Sequence, residues 1–422
     1  MSKFILLPEY TQAINALTNG TPVVFCSGPG GTGKSTFIKY IRAKVKNSIL
    51  LAPTGIAAIN IGGRTIHSVF KFPPAFLTPD DIKRTNKTVR QYLKSTNLLI
   101  IDEISMVSSN LMDGMDEFLR INLGVDKPFG GLPVLLVGDL FQLPPIVTDA
   151  TKPLFEEYYD SALFFDSAVI KDLRANNQFQ MVQLKSVLRQ KDDTFIRILG
   201  SIRTGTNVEE AVDQLNELAN YANDAPDGYV QITPYNDVSN VTNKRRLDEI
   251  VCTPRTYYGN IVGQFNPKNF PVDQAITLKV GAQVMISKNI NREIINGTVG
   301  KIVKLNDTSV VVDTPSGQIE VFPANWDEYG YTVVNGQYTS DVVGTYTQVP
   351  IKLAWSMTIH KVQSATIKQL YVDMDRGSFA PGMLYVALSR AVSLDGLILS
   401  KPIEYDDVIV DEKVIEFYNS YM

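Results

Sequence analysis

"VVFCSGPGGTGKSTFIKYI", Val23 to Ile41, decides how the rest of the chain is read. A short β-rich run leads into a glycine-rich turn, and a helical pattern follows. Gly28 to Ser35 fits G-x-x-x-x-G-K-S. Glycines at such a turn let the backbone approach an anion with no Cβ in the way. Successive amide N–H groups then form a nest at the start of a helix, where the helix dipole also favours negative charge. Gly28, Pro29, Gly30, Gly31, Thr32, Gly33, Lys34, Ser35 and Thr36 are therefore the candidate nucleotide-binding residues. Lys34 can reach the β and γ phosphates, and the Ser35 hydroxyl can ligate Mg²⁺. The loop leaves open which reaction follows.

"STNLLIIDEISMV", Ser95 to Val107, narrows the choice. Its apolar run, Leu98 to Ile101, reads as a buried parallel strand. The strand ends in Asp102 and Glu103, and the carboxyl edge of an open α/β sheet is where such folds present their chemistry. Asp102 would hold Mg²⁺ and Glu103 would activate an attacking water, which hydrolysis requires and a kinase does not. "LPVLLVGDLFQLPPI", Leu132 to Ile146, reads as a third strand ending in polar residues. Gln142 follows it, placed to sense a γ-phosphate, and Pro144-Pro145 stiffen the next turn.

The whole chain sets wide bounds. Its 422 residues are long for one core, with 44% hydrophobic and 20% charged residues, ordinary values for a globular protein. No apolar run approaches the roughly 20 residues of a spanning helix. "MSKFILLPEY" lacks the about 7–15 apolar residues of a signal peptide, so a cytoplasmic setting is expected. Two cysteines, Cys26 and Cys252, and two histidines, His67 and His360, build neither a disulfide framework nor a nitrogen/sulfur zinc site. The net charge of −4 gives no global pull on nucleic acid but leaves room for a local basic groove. Between Lys71 and Asn97 six basic residues, Lys71, Lys83, Arg84, Lys87, Arg90 and Lys94, face two acidic ones, Asp80 and Asp81. Lys244-Arg245-Arg246 form a second cluster; either can be a solvated face.

Taken together the blocks resemble the PIF (petite integration frequency) family of DNA helicases, in superfamily one. "GPGGTGKS", "APTGIAAINIGGRTIHSVF", "IDEISM", "PFGG", "GDLFQLPP", "LRQ", "TPYNDVSNVTNKRRL", "GAQVM", "NGTVGKI", "LAWSMTIHKVQSAT" and "FAPGMLYVALSR" stand in the family's order. They cover the chain from about Leu7 to Leu399. The related RecD/Dda-like helicases share the order, but "TGIAAINIGGRTIHS" and "PFGG" favour the PIF group. One departure is Ser364-Ala365, where the family has a glycine after H-K-x-Q.

The resemblance implies an α/β fold of two RecA-like P-loop domains. The first is expected at 1–173, with 71–97 as a small insertion near a strand-separating pin. The second is expected at 174–277 and 349–422, with an SH3-like insertion at 278–348; the short β runs and turns of that segment also read unaided as a small antiparallel barrel. Gln12 resembles the family's adenine-reading glutamine. Arg189 and Arg390 match two arginines contributed across the nucleotide cleft, and a guanidinium fork suits phosphate oxygens that gain charge. The two "T-I-H" blocks would line the single-strand path, one on each domain. Thr54, Thr65 and His67 belong to the first block, and Thr358, His360 and Lys361 to the second. The alternative for both histidines is a buried, hydrogen-bonded role in shaping their loops. Phe70, Phe72 and Trp355 could offer stacking faces or pack in the core.

The expectation is thus an ATP-dependent, Mg²⁺-requiring DNA helicase, a monomer moving 5′ to 3′ on single-stranded DNA and opening 5′-tailed duplexes, alongside other replication or repair proteins. Three alternatives stay open from the residues: a P-loop kinase for a small molecule, an ATP-gated DNA-binding module, and a RecD/Dda-like translocase that displaces proteins without strong unwinding.

Overall fold

The computed structural model describes residues 6–187, 189–190, 192–267, 270–288, 290, 294, 298–334, 337–363 and 365–421. The chain divides into two compact units: Met1–Leu188 with Tyr329–Val342 and Tyr418–Met422, and Arg189–Glu328 with Val343–Phe417.

The first unit is built on six parallel strands. β1 (Val23–Ser27), β2 (Ser48–Ala52), β3 (Arg64–Thr65), β4 (Leu98–Ile101), β5 (Val134–Gly138) and β6 (Phe179–Gln183) stand in the order β3-β2-β4-β5-β1-β6. Strands β1, β4 and β5 are buried along their whole length, so they read as continuous apolar runs rather than alternating ones. Helix α1 (Pro8–Thr18) starts with proline at its first position, where a missing N–H costs nothing. Helix α2 (Lys34–Lys44) follows the glycine-rich loop. Helices α3 (Gly55–Ile61) and α4 (Ile66–Phe70) follow β2 and β3, α5 (Lys87–Lys94) lies in the 71–97 segment, and α6 (Ser109–Leu123) follows β4. One core on this sheet joins Tyr10, Val24, Phe37, Ile38, Leu50, Ile100 and Val137.

The 71–97 segment is fastened to α6 rather than extended from it. The Asn110 side chain accepts from Leu77 N (2.6 Å) and donates to Leu77 O (3.0 Å), and Asn122 accepts from Thr85 N (2.7 Å). "PFGG" forms the 3₁₀ turn Pro128–Gly131, in which Phe129 itself has φ 53°. The buried Asp116 carboxylate accepts from Phe129 N at 2.5 Å and pairs with Arg120 at 2.8 Å. This fixes the left-handed backbone that the two glycines continue.

The second unit holds a five-stranded parallel sheet from Asn220–Tyr221, Val230–Thr233, Ser356–Thr358, Leu370–Val372 and Leu397–Leu399. Between its halves lies antiparallel structure. Five strands, Gln283–Ile286, Val299–Leu305, Val310–Thr314, Gly317–Val321 and Ile351–Leu353, form one sheet, compatible with the expected small barrel.

Two expected boundaries shift. The first sheet takes in β6, beyond residue 173, because Val23–Ser27 needs a partner on its free edge and finds it at Phe179–Gln183. The antiparallel region begins before 278, since Arg255–Tyr258 pairs with Ala275–Leu278, and extends past 348 to Ile351–Leu353. Ser364 lies outside the described residues, as do Asn296 and Gly297 of "NGTVGKI".

Phe25 stands fully buried in β1, edge-on to Phe164 at 5.6 Å. Phe25→Ala is expected to lower the unfolding free energy of the first unit by about 3–5 kcal/mol, read from its urea midpoint. A loss below about 1 kcal/mol would mean that this packing collapses to fill the hole.

Candidate functional site

The order of the first sheet places β4, β5 and β1 side by side, so their carboxyl ends deliver three loops to one edge. From β1 comes the glycine-rich loop. Gly31 and Gly33 adopt φ of 83° and 86°, a region an L side chain rarely enters. Gly28 has no room for a Cβ: one would stand 2.7 Å from Thr32 Oγ1 and 2.8 Å from Leu184 Cβ. Thr32 is buried and donates to the Pro29 carbonyl at 2.9 Å, closing the turn.

Tyr10 holds the far side of this loop. Its ring stacks on Phe37 at 4.6 Å, and its hydroxyl donates to the Gly33 carbonyl at 3.1 Å. Burial pushes its pKa up to about 12, so it stays a donor. A trans peptide points N–H and C=O in opposite directions, so tying down the carbonyl fixes where the following amide aims. The Lys34 ammonium donates to the carbonyls of Gly28 (2.7 Å) and Pro29 (2.9 Å) across the mouth of the loop. Ser35 and Thr36 are exposed at the start of α2. Gln12 is exposed on α1.

From β4 come Asp102 and Glu103, both buried. Asp102 N donates to Leu51 O at 2.9 Å, and its carboxylate accepts from Glu103 N at 2.9 Å. Burial first, then the Glu103 carboxylate, push the Asp102 pKa up to about 7, against the Glu103 amide and the Lys34 ammonium. Glu103 sits at φ 50°, the left-handed turn from which the 3₁₀ segment Ile104–Met106 starts. From β5 comes Gln142, 4% exposed, its N–H bonded to the carbonyl of the fully buried Asp139 at 3.0 Å.

A magnesium nucleotide fits these residues. The loop is a cradle that a Cβ at Gly28 would fill, and Asp102 is a buried acid beside it whose carboxylate accepts from Glu103 N. No group of three or more His, Cys, Asp or Glu able to hold a metal occurs among the described residues. Mg²⁺ takes few protein ligands and keeps waters and phosphates; Ser35 and Asp102 would be those ligands.

In the second unit the two singled-out arginines meet at Ser389. Arg189 donates to the Ser389 carbonyl at 2.9 Å. Arg390, 1% exposed, donates to the Ser389 hydroxyl at 2.8 Å and to the Val386 carbonyl at 2.9 Å.

The strand-binding candidates divide. Thr54 and Thr65 cap the helices that follow them, accepting from Ala57 N (3.2 Å) and Ser68 N (3.3 Å). His67 and His360 are half-buried, and burial holds both imidazoles below their usual range. Each is therefore neutral near pH 7, with one donor and one acceptor nitrogen. Lys361 is exposed, but Thr358 is buried because its strand pairs with Val230–Thr233, so its hydroxyl does not reach the surface. Phe70, Phe72 and Trp355 are buried and present no stacking face; Phe70 and Phe72 stack on each other and edge onto Phe118. Lys71, Lys83, Arg84, Lys87 and Lys94 are exposed and make no ion pair among the described residues. Arg245 and Arg246, by contrast, are occupied with Asp224, Glu249 and the Ala225 carbonyl. The residue reading passed over Tyr10 and Asp139; Asp139 carries a signal, an Asp just after a strand and beside a turn, and Tyr10 carries none.

Residues 9–213 match the family model described as PIF1-like helicase, and residues 267–305 that of the DNA helicase Pif1 2B domain. The chain is 32% identical to the ATP-dependent DNA helicase PIF1 of Xenopus laevis, over 98% of this chain and 64% of that protein. It is 30% identical to ATP-dependent DNA helicase Pif1 of Bdellovibrio bacteriovorus, over 99% of this chain and 92% of that one. The chain thus spans less than two thirds of the length of the vertebrate relatives. Among solved structures, Pif1 from Bacteroides sp in complex with ADP-AlF4 superposes with a TM-score of 0.90 at 34% identity, covering 99% of this chain and 97% of that one. The same protein in complex with ADP-AlF3 and ssDNA gives 0.73.

Gly28→Ala is expected to weaken ATP binding by about tenfold or more, measured by isothermal titration. Gly200→Ala, where a Cβ meets nothing within 4 Å, should leave that affinity unchanged.

Proposed function

The chain belongs to the PIF1-like helicase family, and on that premise we propose that it is an ATP-dependent DNA helicase that moves 5′ to 3′ on single-stranded DNA and opens 5′-tailed duplexes. The observation that carries the proposal is the convergence of the phosphate loop, the Asp102-Glu103 pair and Gln142 at the ends of three neighbouring parallel strands. Relatives named ATP-dependent DNA helicase and the Pif1 complexes with ADP-AlF4 and with ssDNA support it.

In this reading the amides of Gly30 to Lys34 hold the β-phosphate, and the Lys34 side chain turns from the loop carbonyls to the γ-phosphate. Ser35 and Asp102 would hold Mg²⁺, which would supply positive charge to the phosphates. Glu103 takes the proton of the attacking water, and Gln142 reads whether the γ-phosphate is present. Gln12 contacts the adenine. Arg189 and Arg390 supply guanidinium charge to the leaving phosphate; such arginines are worth about 10³–10⁵ in rate in related transfers. Thr54, Thr65, His67, His360 and Lys361 contact the DNA strand, with Thr358 acting through its backbone. The exposed basic residues of 71–94 lie on the path of the duplex. A monomer suffices for this cycle.

The test is ATPase activity with and without single-stranded DNA, followed by strand displacement on tailed duplexes. Stimulation by DNA and displacement from 5′ but not 3′ tails is expected. Glu103→Gln should lower turnover by about 10²–10⁴ while ATP and DNA still bind. Unstimulated hydrolysis, or phosphate transfer to a small acceptor, would sink the helicase reading.

A further inference from the structure

The last residues of the chain pack into the first unit at the base of the phosphate site. Tyr418 is 4% exposed. Its hydroxyl bonds to the hydroxyl of Ser27, the residue immediately before the loop glycine Gly28. Its ring stacks on Phe141, with centroids 4.9 Å apart and planes within 11°. Phe141 is the neighbour of Gln142, and both loop amides close on Asp139: Phe141 N reaches the carboxylate (3.3 Å) and Gln142 N the carbonyl (3.0 Å). One side chain therefore touches the root of the loop that follows β1 and the root of the loop that follows β5. Three residues on, Tyr421 is anchored separately. Its ring packs on Phe179 at 5.9 Å, and its hydroxyl accepts from Arg174 Nε at 3.0 Å.

We propose that Tyr418 is a positioning residue for ATP hydrolysis, setting the distance between the phosphate loop and the loop that carries Gln142. This rests on the ATPase reading above. Phosphate binding uses the amides of the loop itself. Sensing the γ-phosphate depends also on where Gln142 stands relative to that loop, and this relation is what the Tyr418 ring and hydroxyl hold. Losing the clamp lowers turnover and leaves ADP affinity intact. The tyrosine has no place in the motif blocks, since its partners lie nearly four hundred and nearly three hundred residues away in sequence.

The experiment compares Tyr418→Phe, Tyr418→Ala, Ser27→Ala and the double variant Ser27→Ala/Tyr418→Phe in the full chain. Readouts are DNA-stimulated kcat and KM for ATP, ADP affinity by titration, and melting temperature. An aromatic stack of this geometry corresponds to a loss of roughly two- to tenfold. Tyr418→Ala should lower kcat by about that factor, with KM and ADP affinity within about twofold of the parent. Tyr418→Phe keeps the ring and should recover most of the lost turnover. Ser27→Ala should match Tyr418→Phe, and the double variant should be no worse than either, as two ends of one hydrogen bond require. Parental kcat in Tyr418→Ala overturns the proposal, as does a fall in ADP affinity equal to the fall in kcat. If Tyr418→Ala does not fold, additive losses in the double variant overturn it in its place. A parent that hydrolyses no ATP is a different failure: it removes the ATPase reading itself.

Discussion

A triphosphate presents its charge on many oxygens at once, and only a backbone with no Cβ in the way can meet several of them together. The loop after β1 is built as such a contact would require. Gly31 and Gly33 turn through the left-handed region, Gly28 lies too close to Thr32 and Leu184 to be anything larger, and Tyr10 ties down the carbonyl behind. The parallel sheet matters because it brings the carboxyl ends of three strands to the same place. It thereby sets a buried acid pair and a buried amide beside the loop without any long side chain having to reach.

The same dry surroundings act on both signs of charge. They disfavour the Asp102 carboxylate, which also faces Glu103, and so raise its pKa. They also strengthen every attraction an incoming cation would feel. Lys34, folded onto two loop carbonyls, has exchanged water for acceptors that an anion can replace.

Much of this was legible in the residues because it is local. Glycine spacing, a lysine before a serine and an acid pair after an apolar run each report on a few neighbouring peptides. The strand at Leu98–Ile101 and the helix after Gly33 stand where the pattern puts them. What escaped was set by distant pairing. β6 joins the first sheet by lying beside Val23–Ser27, and Arg255–Tyr258 joins the antiparallel region by pairing with Ala275–Leu278. No short window of sequence shows either. The hydroxyl of Thr358 reads as a surface contact until the strand beside Val230–Thr233 buries it, and Tyr10 becomes part of the site only because α1 lies across the loop.

Glu103 holds its carboxylate on a costly backbone. Its backbone turns through φ 50°, a conformation costing an L residue roughly 1–2 kcal/mol and a glycine almost none. Glycine there would relieve the turn and discard the acid. The buried acid pair at the end of β4 thus carries a standing conformational cost in its own backbone.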